Sequence, residues 1–288
     1  MPELPEVETV RRQLHPVLQD KTIRAVDVFH AKTVAHVPDI ADTLVGKTIT
    51  DINRVGKLLI FSFHAQSDIF LLAHLKMTGQ FFFVDTDQTY HGGGHSLHST
   101  DLLELPNRHT RTAFYFTDGS ALYFNDMRLF GYTKLASAAM VATARRGFGP
   151  EPINPDFPID WFVTSIRSKR TTVKAALLDQ RFVAGLGNIY VDEALFRAGI
   201  RPTRRCHRLR KQEARLLAAT SRDVMLESIA VGGTTFQHFV DTGGNNGNFT
   251  DYLQVFGKQG TPCTACGTLI KKIRAAGRGT HYCPHCQS

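Results

Sequence analysis

No stretch of the 288 residues approaches the ~20 consecutive apolar positions of a membrane-spanning helix, and the first residues lack the basic-then-apolar layout of a secretory leader. A soluble, intracellular chain is therefore expected. There is no internal repeat and no extended low-complexity tract, which argues against repeat architectures and long disordered tails. Cysteine is scarce: there are five, and four fall in the last 26 residues. Such a cluster in a reducing compartment favours a metal over disulfides, while Cys206 reads as a structural or idle thiol. Acids are outnumbered, 26 Asp and Glu against 34 Lys and Arg, for a formal charge of +8. That balance suits a polyanionic partner, or equally plain solubility. The length accommodates two domains or one large one.

The opening residues, Met1-Pro2-Glu3-Leu4-Pro5-Glu6-Val7-Glu8, organise the reading of the rest. The small residue behind Met1 permits its removal, which would leave a proline with a free secondary amine. An α-amino group titrates near ~8, so a useful fraction is unprotonated and nucleophilic at neutral pH. Its attack on an aldehyde-like carbon gives a permanently charged iminium, a good electron sink, with Glu3 beside it as proton donor or acceptor. Pro5 and the early acids predict a helix entry, Val7, Val10 and Leu14 recur at helical spacing, and Pro16 is expected to stop the helix. Taken alone, these residues also fit an ordinary helix start.

Strands are expected over 23–29, 48–55, 57–63, 69–75, 80–84, 113–116 and 121–124, with Asp118-Gly119 as a hairpin turn. Many short strands separated by turn signals indicate a sandwich or barrel. His91 to Thr100 breaks the pattern and reads as a mobile polar loop. Residues 147–158, with four prolines and two glycines, read as a linker, followed by helices over 159–167, 172–180, 189–198 and 208–230. The Gly/Asn-rich run 241–248 reads as a surface loop able to order over a ligand. The tail from about Gly257 reads as a small module of its own. The expected domains are thus 1–135, 136–256 and 257–288.

Cys263-x2-Cys266 and Cys283-x2-Cys286 carry the spacing of paired zinc knuckles, and four thiolates leave no open position, so the zinc is expected to be structural. Between them the chain turns at Gly277-Arg278-Gly279, a basic tip that suits a phosphate or is merely solvated. Gly185-Leu186-Gly187-Asn188 opens a helix, as a plain joint or as a phosphate cradle, and in the latter case Lys169, Arg170 and Lys174 lie just upstream, able to bracket the same phosphate. Lys57, after Gly56 at a strand junction, is either an edge charge or a positioned acid–base group.

The order of motifs resembles the Fpg/Nei superfamily, specifically the formamidopyrimidine-DNA glycosylases. It runs through PELPEVE, GKLL at 56–59, HLKMTG at 74–79, DMRLFG at 126–131, GPEP at 149–152, AGLGNIYVDEALFRAGI at 184–200, GGTT at 232–235 and the four cysteines. The resemblance implies an α+β multidomain fold: an N-terminal β-sandwich, a helical helix–two-turn–helix domain and a zinc ribbon, with DNA in the cleft between. It implies excision of oxidised purines, Pro2 being the Schiff-base nucleophile, Glu3 the proton donor, and Lys57 and Arg278 the helpers of β- and δ-elimination. It makes His109, Arg128, Lys169 and Asn188 DNA contacts, and Met77, Arg128 and Phe130 the side chains that fill the space of a flipped nucleotide. One structural zinc, double-stranded DNA with oxidised or abasic nucleotides as partner, a monomer, and a bacterial cytoplasm with its nucleoid complete the expectation. Met127 and Leu129 stand where the family has proline and a second arginine, and Arg111 where histidine is common. The 91–100 segment looks like an insertion.

Overall fold

The computed structural model describes residues 2–35, 39–64, 68–87, 90–95, 105–234, 239–240 and 249–288. Its chain divides into two compact units, one of Met1–Arg146 with Val231–Thr250, the other of Gly147–Ala230 with Asp251–Ser288.

The first unit opens with α1 (Leu4–Leu18) and stacks two antiparallel sheets. One sheet runs β2 (Ile49–Val55), β3 (Leu58–Phe63), β4 (Ile69–His74), β9 (Tyr132–Ser137). The other runs β1 (Ile23–Val28), β7 (Thr110–Phe116), β8 (Ala121–Asp126), β5 (Gly79–Val84), β6 (Tyr90–His95), β10 (Phe239–Val240). Alternate residues of the strands build the core: Leu59, Phe61 and Phe63 of β3 and Phe81 and Phe83 of β5 meet Val7, Val10, Leu14 and Leu18 of α1. The intervening Leu58 and Ile60 face a second cluster closed by Val141 of α3 (Ala138–Arg146). β3 is therefore apolar on both faces because both are covered.

All seven expected strands appear, and Gly119, at φ 94°, makes the expected turn between β7 and β8. In this unit the structure differs at three places. Pro16 does not stop α1, which continues to Leu18: a proline in the last turn forfeits one hydrogen bond, and burial of Leu14 and Leu18 outweighs it. Half of the expected polar loop is strand, since Phe81 to Val84 of β5 pair with Gly93 to Tyr90 of β6. Three consecutive glycines leave no side-chain pattern, so main-chain hydrogen bonding to a neighbouring strand is the whole signal. Residues 96–100 of that loop, and all of 241–248, lie outside the described residues. The third difference is α2 (Ile40–Leu44), α3, β9 and β10, which have no counterpart in the sequence reading.

The second unit holds α4 (Ile159–Ser168), α5 (Val173–Leu178), α6 (Asn188–Arg197), α7 (Lys211–Ala230) and the hairpin β11 (Lys271–Ala275)–β12 (Arg278–Tyr282). The ribbon does not stand apart: Cys263, Cys283 and Ile270 share a small core with Phe196 of α6 and Val255. Residues 147–158 form a packed strap. Glu151 and Pro152 are buried, Gly149 N–H donates to Gln180 O at 2.9 Å, and Ala184 N–H donates to Pro150 O at 3.1 Å. A Cβ at Gly149 would lie 2.2 Å from the Phe182 carbonyl oxygen, which is backbone and cannot step aside. Gly149→Ala is accordingly expected to destabilise this unit by at least about 2 kcal/mol, read as a lowered midpoint in urea unfolding.

Candidate active site

Glu3 is the N-cap of α1 and Pro2 the residue just before it, so the imino nitrogen belongs to a chain segment at the positive end of a helix. A reciprocal capping box holds the pair: the Glu3 carboxylate accepts the Glu6 N–H, and the Glu3 N–H donates to Glu6 Oε2 at 2.7 Å. Glu6 Oε1 also accepts the Thr234 N–H at 2.9 Å, which brings the GGTT segment onto α1. Glu3 is only 3% exposed. Burial thus keeps the capping carboxylate of Glu3 from water.

Lys57 is 7% exposed and follows Gly56, whose φ of 56° makes the two-residue turn between β2 and β3. The turn is tied back to α1 by Arg54, which donates from Nη1 to Gly56 O at 2.8 Å and from Nε to Glu8 Oε2 at 2.9 Å. Glu8 also accepts from Arg11 and Arg12. Burial alone would raise the Glu8 pKa, but these three guanidinium groups overcome it and hold the carboxyl down from 4.5 to about 2. A depressed carboxyl contributes stability that is present above its unfolded value and lost as pH falls through the folded one. Glu8→Gln should therefore cost on the order of 2 kcal/mol near neutrality. The deficit should vanish between pH 4.5 and 2, in denaturant titrations across that window. His74, below the same turn, is pushed to about 3 by burial and then by the charges of Lys76 and Lys57. Its Nδ1 accepts the Lys76 N–H at 3.0 Å, so the ring is neutral with its proton on Nε2.

Met77, Arg128 and Phe130 come together on the surface of this unit. Arg128 donates from Nη1 to Met77 Sδ at 3.3 Å and lies over the Phe130 ring at 4.9 Å, while Met77 and Phe130 are 41% and 48% exposed. Buried Asp126 is the anchor beneath them. It accepts from Thr78 Oγ1, from Arg128 N–H at 3.1 Å and from Gly131 N–H at 2.6 Å. The loops are bent: Lys76 and Leu129 hold left-handed φ values of 52° and 58°, unusual for residues with a side chain, next to Met77 and between Arg128 and Phe130. Met127 is exposed alongside. His109 takes part through its backbone, the Asp126 N–H donating to His109 O at 2.9 Å, and Arg111 ties both segments by donating to Asp126 O and Arg108 O.

In the second unit Lys169 stands at the C-terminal end of α4 with its ammonium 4.3 Å from the centre of the Phe182 ring. Gln180 braces the GLGN segment, accepting the Gly185 N–H and donating to Leu186 O, and Asn188 becomes the first residue of α6. Its side-chain amide donates to Gly279 O at 2.9 Å. Lys174 is not a phosphate ligand: it is wholly buried, its Nζ 2.6 Å from Asp192 Oδ1. Arg278 is exposed at the start of β12, just after a turn made by Ala276 and Gly277, both at positive φ, one residue earlier than the glycine spacing suggests.

The four thiolates of Cys263, Cys266, Cys283 and Cys286 lie within 4.8 Å of one another, with sulfur separations of 3.9 and 3.5 Å across two of the pairs. A tetrahedron of ~2.3 Å zinc–sulfur bonds needs sulfurs about 3.8 Å apart, so the cage fits one structural zinc with no position left for substrate.

Comparison with known proteins agrees with this arrangement. Residues 1–133 match the formamidopyrimidine-DNA glycosylase N-terminal domain, 148–240 its H2TH domain, and 260–288 the zinc finger found in FPG and IleRS. The chain belongs to the formamidopyrimidine-DNA glycosylase family. It is 40% identical to the formamidopyrimidine-DNA glycosylase of Bacillus licheniformis, over 100% of this chain and 99% of the relative, and 36% identical to that of Oceanobacillus iheyensis, over 100% and 98%. Among solved structures it resembles a Lactococcus lactis FPG mutant bound to Fapy-dG DNA (TM-score 0.87, 34% identity, 100% of both chains). It likewise resembles the Lactococcus lactis Fpg on abasic-site DNA (TM-score 0.85, 34% identity, 99% of both chains). Sequence reasoning had placed Glu6 and Glu8 only as acids of a helix start and Arg111 only as a departure from a common histidine, and had given no role to Arg54, His74, Thr78 or Asp126. His74, Thr78 and Asp126 lie within the motifs HLKMTG and DMRLFG, but Arg54 carried no signal.

Proposed function

We propose that this chain is a base-excision-repair DNA glycosylase with abasic-site lyase activity, acting on formamidopyrimidines and 8-oxoguanine in double-stranded DNA. The observation that carries the reading is the exposed Met77–Arg128–Phe130 set, fixed by Asp126 on the unit that also bears Pro2, Glu3 and Lys57. A base must leave the stack before its sugar can be attacked, at a cost of a few kcal/mol, and an apolar wedge with an arginine in the vacated space offsets that cost.

The free nitrogen of Pro2 attacks the sugar C1′, the base departs with the electrons of the glycosidic bond, and Glu3 supplies the proton that opens the sugar. The resulting iminium acidifies the C2′ hydrogens. Loss of one, assisted by Lys57, breaks the C3′–O bond, and a second elimination assisted by Arg278 breaks the C5′–O bond. His109, Arg128, Lys169 and Asn188 serve as DNA contacts, Asn188 to a phosphate. The enzyme acts as a monomer in a bacterial cytoplasm, on the nucleoid. The +8 charge supports steep weakening of binding with salt as counterions are displaced.

Borohydride trapping on duplexes carrying 8-oxoguanine, a formamidopyrimidine, thymine glycol or no lesion tests this reading. Adducts strongest with the two purines are expected; equal or stronger trapping on thymine glycol overturns the purine assignment, and no adduct with any lesion overturns the enzyme. Met77→Ala and Phe130→Ala should each slow base release about tenfold, the loss of roughly 1–2 kcal/mol of stacking in the vacated space. Binding to undamaged duplex should change less than twofold, because phosphate contacts dominate it.

A further inference from the structure

We infer that Asp192 is a positioning residue for Arg278, acting through strand β12, with the buried Lys174 as its counter-charge. In the hairpin, Ala275 and Arg278 close the two-residue turn as partners, so the main-chain groups of Gly279 and His281 point away from β11, to the free edge. Both outward groups are claimed by side chains of α6. Asn188 Nδ2 donates to Gly279 O at 2.9 Å, and Asp192 Oδ2 accepts the His281 N–H at 2.8 Å. The geometry is matched: positions i and i+4 on a helix share a face, as positions i and i+2 do on a strand edge. The residue that precedes this doubly held segment is Arg278.

The ion pair behind it makes little sense as a source of stability. Lys174 Nζ meets Asp192 Oδ1 at 2.6 Å with both side chains 0% exposed, and a buried pair of this kind is commonly matched or bettered by apolar residues of similar volume. What apolar residues cannot supply is the second carboxylate oxygen, which here fixes the His281 N–H. Lys174 from α5 orients the carboxylate, and the carboxylate registers β12 on α6. Glu193, the next residue, accepts the N–H groups of Gln254, Val255 and Phe256 and holds the chain leading into the ribbon in the same manner.

This inference rests on the proposed role of Arg278 in the second elimination. The experiment compares zinc-loaded full-length wild type, Arg278→Ala, Asp192→Asn and the paired replacement Lys174→Met with Asp192→Leu. The substrate is abasic-site and 8-oxoguanine DNA, and the readout is the ratio of 3′-phosphate ends (both eliminations) to 3′-unsaturated aldehyde ends (the first alone). The paired replacement removes the acceptor for His281 without orphaning a charge and is expected to keep the wild-type melting temperature within a few degrees. Its product ratio should fall about tenfold, the scale on which loss of an orienting partner acts, with base release within twofold. Asp192→Asn, which keeps one acceptor oxygen for two donors, should fall between. A ratio lost in Arg278→Ala but unchanged in both Asp192 variants overturns the inference while leaving the role of Arg278 intact. A ratio unchanged in Arg278→Ala overturns that role itself.

Discussion

A Pro2→Gly protein is expected to release 8-oxoguanine on the order of a hundredfold more slowly than the parent, once terminal sequencing has established that Met1 is absent from both. Glycine keeps an amine, so the loss measures what the ring contributes. Proline's secondary amine gives an iminium that has no proton to shed and stays charged, whereas a primary amine gives an imine that is neutral for much of its lifetime and withdraws electrons poorly. The ring also fixes φ ahead of the Glu3 cap, so its nitrogen keeps one direction, whereas glycine loses that orientation. Retaining Met1 or adding an N-terminal tag should abolish trapping completely, because an amide nitrogen is no nucleophile. Full-rate cutting by the glycine variant, or a reduced sugar remnant located on an internal lysine by mass spectrometry, would refute the assignment of Pro2.

Stripping the zinc is expected to be the other large effect. Four thiolates around one ion form the only His/Cys/Asp/Glu cluster among the described residues able to hold a metal, and structural zinc of this kind supplies on the order of 10 kcal/mol of apparent folding free energy. The ribbon does not fail alone, because Cys263, Cys283 and Ile270 share their core with Phe196 of α6. Chelation, or Cys266→Ser, should therefore abolish strand cutting and expose backbone amides of β12 and the end of α6 to hydrogen exchange. The sheets of the first unit should stay protected, having a core of their own. Zinc added back should restore the chelated protein. Zinc-free protein that still cuts at full rate would show that the ribbon has no part in catalysis.

How far such residues were legible in the sequence depended on the range of the interaction. Short spacings announced the zinc cage, the Asp118-Gly119 hairpin and the opening of α6 at Asn188, because each is settled within a few residues. The strand of glycines at 92–94 was invisible because its only signal is hydrogen bonding to β5. Lys174 was misread for the same kind of reason. Beside Lys169 and Arg170 it looks like another phosphate ligand, and only the packing of α5 against α6 puts Asp192 within 2.6 Å of it.

By itself, then, the sequence carried the proline behind Met1, the acids of the first helical turn, the four thiolates and the alternation that makes two sheets. Local backbone preference and side-chain period are properties of neighbouring residues, and they survive without a fold. Tertiary structure alone decided that Arg54 ties the Lys57 turn to Glu8, that Asp126 holds Thr78, and that Asn188 and Asp192 hold the edge of β12. Each of these joins residues tens of positions apart by one or two hydrogen bonds, and such bonds form only once burial has brought the two segments together.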